Sequence, residues 1–137
     1  METKRLVTGT LAGGVVLFVL GYLIFDLMFS AFYAANAGSA TGVARDQQLV
    51  WAVALGSLSY AALVTLAIES RAGSSNMGAG LKIGAVVGFL LWFTVDFILY
   101  GITNVSNLTR AVVDPLLELV RGGIAGGIIA VVLGKIR

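Results

Sequence analysis

Two stretches of twenty consecutive residues without a charge, 6–25 and 49–68, constrain this chain more than any other feature. A helix needs about 20 apolar residues to cross the hydrocarbon layer of a bilayer. Both stretches are therefore predicted to be membrane-spanning helices. The whole chain agrees, because only 12% of its residues are charged, whereas a soluble domain carries about 25%.

Two further apolar stretches are interrupted by charges, one by Asp96 and the other by Glu118 and Arg121. We predict an all-α, four-transmembrane-helix bundle, formed by a single transmembrane domain over residues 1–137. The predicted helices are 6–32, 49–68, 83–102 and 115–136. The first begins like a signal peptide, but its length and the late Asp26 favour a retained helix.

A Gly/Ser-rich segment at 70–80 divides the chain almost in half. At an offset of seventy residues, Gly14 matches Gly84 and Asp26 matches Asp96. Two tandem helical hairpins related by duplication are therefore an alternative description of the bundle.

The distribution of Lys and Arg predicts the orientation. Six of them fall in the N-terminus, the middle loop and the C-terminus, and two fall in the other loops. The six are Lys4, Arg5, Arg71, Lys82, Lys135 and Arg137, and the two are Arg45 and Arg110. We expect both termini to be cytoplasmic and the protein to lie in a bacterial inner membrane.

Asp96 and Arg121 are the most informative charges within the spans. Each lies 14 residues from a basic residue at the end of its span, Lys82 and Lys135 respectively. In antiparallel helices this spacing places both at one depth, ~21 Å from one face. Because lone charges in lipid are costly, the spacing predicts a buried pair or a functional site. A local pair of Arg121 with Glu118 is the alternative.

Polar residues recur at helical spacing in three of the spans. They indicate a polar cavity or a proton or ion path in the outer half of the bundle, or else a purely structural network. The stripes are Tyr22, Asp26, Ser30 and Tyr33; Trp92, Asp96, Tyr100 and Thr103; and Asp114, Glu118, Arg121 and Ala125. The candidate binding residues are Tyr22, Asp26, Asp96, Tyr100, Glu118 and Arg121.

Glycines at four-residue spacing lie in the third and fourth spans. Such spacing allows two helix backbones to approach closely. The pattern predicts packing within the bundle, or self-association and docking on a membrane partner. The candidate packing residues are Gly84, Gly88, Gly122, Gly126 and Gly127.

Asp114-Pro115 has the form of a helix start, with Asp as the N-cap and Pro at the first helical position. It predicts that the fourth span begins there, and an internal proline kink is the alternative. Asn104, Asn107-Leu-Thr109 and Val113-Asp114 follow Asp96 and Tyr100. This series resembles small bacterial four-helix membrane proteins of a domain-of-unknown-function family, which implies a fold and no activity.

The chain has no His and no Cys. Imidazole and thiolate chemistry, disulfides and the usual zinc or haem ligands are thereby excluded. No catalytic constellation is visible, so we expect a protein that is not an enzyme and has no cofactor or metal. The basic residues mark helix ends rather than a patch, and nucleic-acid binding is not indicated.

Three functions fit these patterns. The first is an accessory subunit that self-associates or docks on a membrane partner through its Gly-rich faces. The second is a small transporter or channel with a polar outer-half site at Asp26, Asp96, Glu118 and Arg121. The third is binding of lipid or a hydrophobic ligand between helices. An open cavity at Asp96 and Arg121 favours transport, and a closed pair favours the accessory role.

Overall fold

A computed structural model describes residues 1–136, so Arg137 of the orientation argument lies outside the described residues. The described chain is all-helical, and four of its helical segments are long and apolar enough to cross a membrane. This confirms the predicted four-span, all-α architecture. The helices are α1 (Thr3–Gly21), a π-helical segment (Tyr22–Met28), α2 (Ser30–Ala35), α3 (Val50–Glu69), α4 (Met77–Ile102) and α5 (Leu108–Lys135).

The first span is not one uniform helix. From Tyr22 to Met28 its hydrogen bonds reach one residue further back, and the Phe29 amide donates to the Ile24 carbonyl at 2.8 Å. A π-helical turn shifts every later side chain around the helix axis relative to α-helical spacing. The chain reaches α2 with its faces rotated, which α-helical counting from Tyr22 could not foresee.

The fourth span begins at Leu108, seven residues before the predicted start. Asn107 is the N-cap, and its side-chain oxygen accepts a hydrogen bond from the Arg110 amide at 2.9 Å. The prediction that Asp114 caps the helix is therefore wrong, and Pro115 lies inside α5. Asp114 is buried among neighbouring side chains instead of marking the helix end.

The third span also begins earlier than predicted, at Met77, with Asn76 as its N-cap. The Asn76 side chain accepts a hydrogen bond from the Ala79 amide at 3.0 Å. Lys82 consequently lies within the second turn of α4 and not in the loop before it. The prediction that Asp96 and Arg121 lie at one depth took Lys82 as the end of the span. The earlier start of α4 removes that reference point.

The spans associate most closely as two pairs, α1 with α3 and α4 with α5, and α5 also packs against α1. α5 is the most buried of the four. The two pairs do not pack alike, because a methyl group on Gly126 would strike the backbone of Gly80 while one on Gly56 would meet open space. The offset of seventy residues therefore relates two helical hairpins in the sequence, but the helix contacts within the two hairpins differ.

Glycines hold α4 and α5 in a fixed register. A methyl group on each of several glycines would collide with the opposite backbone, so the two helices touch main chain to main chain. The facing pairs are Gly80 with Gly126, Gly84 with Gly122, and Gly88 with Glu118. Each step of four residues along α4 is matched by four residues back along α5. Continued two steps beyond Gly88, this register places Asp96 opposite Arg110.

All five predicted packing glycines lie in this internal contact. Gly84, Gly88, Gly122 and Gly126 are buried against the facing backbone, and Gly127 lies against the side chain of Leu81. Their faces are thus occupied within the chain. Docking of a second protein through these faces receives no support from the structure.

Arg5 closes the end of the bundle where the chain termini lie. Its guanidinium donates to both carboxylate oxygens of Glu69 at 2.8 and 2.9 Å. It also donates to the carbonyls of Leu133 and Ile136 at 2.9 and 2.7 Å. A cation at these last carbonyls satisfies acceptors that the helix itself leaves open. One side chain thereby joins α1, α3 and α5.

Candidate functional site

Arg121 lies at the middle of α5 and is 7% exposed. Its Nη1 donates to Glu118 Oε1 at 2.8 Å, and its Nε and Nη2 donate to the Leu17 carbonyl at 3.1 and 2.7 Å. The guanidinium also lies 5.4 Å from the ring centre of Phe25 and 5.8 Å from that of Tyr60. Aromatic faces at such distances favour a cation. Arg121 is therefore surrounded by groups that stabilise its charge.

A glycine makes the contact between Arg121 and α1 possible. A methyl group at Gly21 would lie 2.8 Å from Nη2 of Arg121, too close for ordinary packing. Because Gly21 lies one turn after Leu17, it leaves the surface of α1 open beside that carbonyl. The guanidinium can therefore reach the backbone of a helix in the other hairpin.

Glu118 is only 1% exposed, and only one of its two carboxylate oxygens has a hydrogen-bond partner among the described residues. Oε1 accepts from Arg121, whereas Oε2 has no hydrogen-bond partner among the described residues. The Tyr60 hydroxyl nearby also lacks a partner, and it occupies the notch left by Gly88 and Gly122. Unpartnered buried polar atoms are uncommon in native proteins and call for a physical reason.

A second pair of acids lies closer to the end of the bundle opposite the chain termini. Asp114 is 7% exposed and accepts a hydrogen bond from the Tyr33 hydroxyl. Asp96 of α4 is its neighbour, and Oδ2 of Asp96 is buried without a partner among the described residues. Burial and the Asp114 carboxyl raise the pKa of Tyr33, so its hydroxyl keeps its proton and acts as the donor.

Arg110 is a cation beside this second pair of acids. Its guanidinium lies 4.9 Å from the centre of the Tyr33 ring, and its side chain is partly exposed. The cluster as a whole then holds three carboxyl groups, on Asp96, Asp114 and Glu118, and two guanidinium groups. Fully ionised, it carries one negative charge in excess.

Asp96 and Arg121 do not form the predicted pair. The register of α4 on α5 places Asp96 opposite Arg110, which is eleven residues from Arg121, or about 16 Å along the helix. Equal spacing from Lys82 and Lys135 gave the wrong depth because these two lysines do not lie at one level. Arg121 adopts the alternative pairing instead, with Glu118.

Three other candidate residues lie outside the cluster. Tyr22 is 53% exposed and Tyr100 is also exposed. Asp26 is exposed and accepts a hydrogen bond from the Gln48 side chain at 3.3 Å. Asp26 lies within the π-helical segment and turns outward, whereas Tyr33 follows that segment and turns inward to Asp114. The shared face predicted for Tyr22, Asp26, Ser30 and Tyr33 is therefore wrong.

Two parts of the site are not visible in the sequence. The Leu17 carbonyl belongs to the backbone and carries no side-chain signal. Tyr60 resembles the other aromatic residues of the spans, although its position opposite two buried glycines distinguishes it once the register is known. The stripe of Asp114, Glu118, Arg121 and Ala125 was visible, and all four side chains are buried on one side of α5.

The part of the cluster at Glu118 and Arg121 is buried, whereas Asp96 is half-buried. Two surface cavities, of about 360 and 240 Å³, lie elsewhere on the molecule, and neither is lined by one of the clustered acids. Within residues 1–136 the acids also do not converge as a group of three that could hold a metal ion. No protein-family model, curated protein or solved structure matches this chain.

Proposed function

We propose that this membrane protein is a small non-enzymatic carrier. It takes up a proton, or a small monovalent cation in its place, from the outer side at Asp96 and Asp114. The observation that carries the proposal is the buried, unpartnered Oδ2 of Asp96 next to the buried carboxyl of Asp114. Two neighbouring carboxyl groups cannot both stay charged at low cost in such a place, and a proton or cation offsets the excess charge.

The arrangement also supports a direction of entry. Asp96 is half-buried near the outer end of α4, whereas Asp114 and Glu118 lie progressively deeper on one face of α5. Arg121 follows one turn further in. Its positive charge opposes the passage of a cation, so entry from the outer side ends at the carboxyl groups. Transport then requires a second conformation in which the contact of Arg121 with the Leu17 carbonyl opens.

Purified protein in liposomes tests this function. With a membrane potential imposed and a pH-sensitive dye enclosed, we expect the wild-type protein to conduct protons above protein-free liposomes. Asp96→Asn removes the charge but keeps the shape, and we expect it to reduce the flux to the protein-free level. Asp26→Asn is the matched control, because Asp26 is an exposed acid outside the cluster. Equal flux through wild type and Asp96→Asn contradicts the proposal.

An accessory role is the second candidate. The closed pair of Arg121 and Glu118 favours it, because three of the arginine's hydrogen bonds are satisfied within the chain. The internal use of the packing glycines means that a partner would bind another surface. Crosslinking in intact membranes, followed by isolation of a complex of fixed composition, would support this role. Isolation of such a complex, together with an absence of proton flux in liposomes, would overturn the carrier proposal in favour of the accessory role.

The orientation stays a prediction, with both termini cytoplasmic in a bacterial inner membrane. Because the chain has no Cys, single cysteines can report it. Ser39 and Ala72 are both exposed, whereas Ser74 in the same loop as Ala72 is buried and unsuited to labelling. We expect an impermeant thiol reagent to label Ser39→Cys and not Ala72→Cys in intact cells. The reverse pattern would overturn the orientation.

A further inference from the structure

A cavity of about 240 Å³ lies between the end of α3 and the first half of α4, away from the carboxyl cluster. These two helices pack against each other far less than α4 packs against α5. One end of the cavity is polar and basic, and its wall is apolar. The polar end is formed by Ser70, Arg71 and Lys82, and the wall by Ala67, Ile83, Val86 and Val87.

Arg71 and Lys82 have no acidic partner among the described residues. The ion pairs found there are those of Arg5 with Glu69 and of Arg121 with Glu118. Glu69, the acid closest to Arg71 in the sequence, is therefore already bound through both of its oxygens. The cavity thus presents two exposed cations whose charge no acid among residues 1–136 neutralises.

The position of the cavity matches the two parts of a phospholipid. Arg71 lies two residues after the end of α3, and Lys82 lies in the second turn of α4, so both cations are near the ends of these helices. Val86 lies one turn further along α4 and is 57% exposed, so its side chain is free to contact an acyl chain. A phosphate at the cations and an acyl chain along this wall would both be in favourable surroundings.

We propose that this groove binds an anionic phospholipid. The head-group phosphate lies between Arg71 and Lys82, and an acyl chain follows Val86 between α3 and α4. The two unneutralised cations favour a net negative lipid over a zwitterionic one, whose own ammonium group would be repelled. The apolar wall favours a lipid over a small soluble anion. This site is independent of the proposed carrier function, because it shares no residue with the carboxyl cluster.

Native mass spectrometry from detergent micelles tests the proposal with phosphatidylglycerol, phosphatidylcholine and soluble glycerol phosphate as probes. We expect the wild-type protein to retain phosphatidylglycerol in preference to the other two. The double variant Arg71→Gln with Lys82→Gln should bind it about 25-fold more weakly, since each cation near a membrane surface contributes about a factor of five. Lys4→Gln with Arg45→Gln removes the same charge at exposed positions outside the groove and should leave binding unchanged.

A third variant tests the acyl chain separately. Val86→Ser keeps both cations and should weaken retention of phosphatidylglycerol. Equal loss in the two double variants would show a general charge effect and overturn the site. Retention of phosphatidylcholine at the level of phosphatidylglycerol would also overturn it. Binding of glycerol phosphate as tight as that of the lipid would identify a small-anion site instead.

Discussion

Arg121→Gln is expected to lower the free energy of unfolding by ~3–5 kcal/mol, because it leaves the buried Glu118 carboxylate without its cation. The Leu17 carbonyl would lose both hydrogen bonds from Arg121 in the same variant. Unfolding in mixed detergent micelles, followed by circular dichroism, measures the change. Glu118→Gln should also destabilise the protein, because it leaves the guanidinium as the unpaired charge.

A double-mutant cycle separates the true partner of Arg121 from the one that sequence spacing predicted. Glu118→Gln combined with Arg121→Gln should cost clearly less than the sum of the two single changes, since no orphaned charge remains. Asp96→Asn combined with Arg121→Gln should be additive, because the register places these residues about 16 Å apart along the bundle. Strong coupling to Asp96 with none to Glu118 would falsify the observed pairing.

Gly84→Ala is expected to destabilise the protein by ~1–3 kcal/mol, as overpacking of a close contact does. The added methyl group would collide with the Gly122 carbonyl, and backbone can yield only by moving α5 as a whole. Thermal unfolding in detergent measures the loss. Because Gly84 is buried against the Gly122 backbone, this collision outweighs the benefit of about 1 kcal/mol that alanine usually brings to a helix.

Gly56→Ala and Gly101→Ala are the matched controls. Both glycines lie within helices, and a methyl group on either would meet nothing within 4 Å. Because alanine favours helix over glycine by about 1 kcal/mol, these variants should be as stable as wild type or more so. If Gly84→Ala behaves like the two controls, the close approach of α4 and α5 is not present in the protein.

The four spans could be predicted because a bilayer requires about 20 apolar residues to cross it, and this requirement leaves a clear record in composition. The starts of α4 and α5 were predicted too late, since Asn76 and Asn107 cap helices whose first turns contain charged or small residues. Asp114-Pro115 looked like a better start than Asn107. Local capping patterns of similar quality compete, and only tertiary contacts decide between them.

The burial of Arg121 was predicted, but its observed partner Glu118 was predicted only as the alternative to Asp96. Depth was inferred from the lysines near the ends of the spans, and the packing glycines set the depth instead. Close backbone contacts at Gly80 and Gly84 fix the register of α4 against α5, and the position of Lys82 has no part in them. Sequence spacing also assumes an uninterrupted α-helix, and the π-helical turn after Gly21 invalidates that assumption for Tyr33.

The central position of α5 has a consequence for biogenesis. α5 follows the other three spans in the chain, yet it contacts all of them. While the ribosome is still delivering it, α1 and α3 already stand in the bilayer with the Leu17 carbonyl side uncovered. An arginine at mid-span costs roughly 2.5–3.5 kcal/mol to insert by itself. Arg121 arrives with Glu118 one turn ahead and a waiting acceptor in α1, so the earlier helices act as a template for the last insertion.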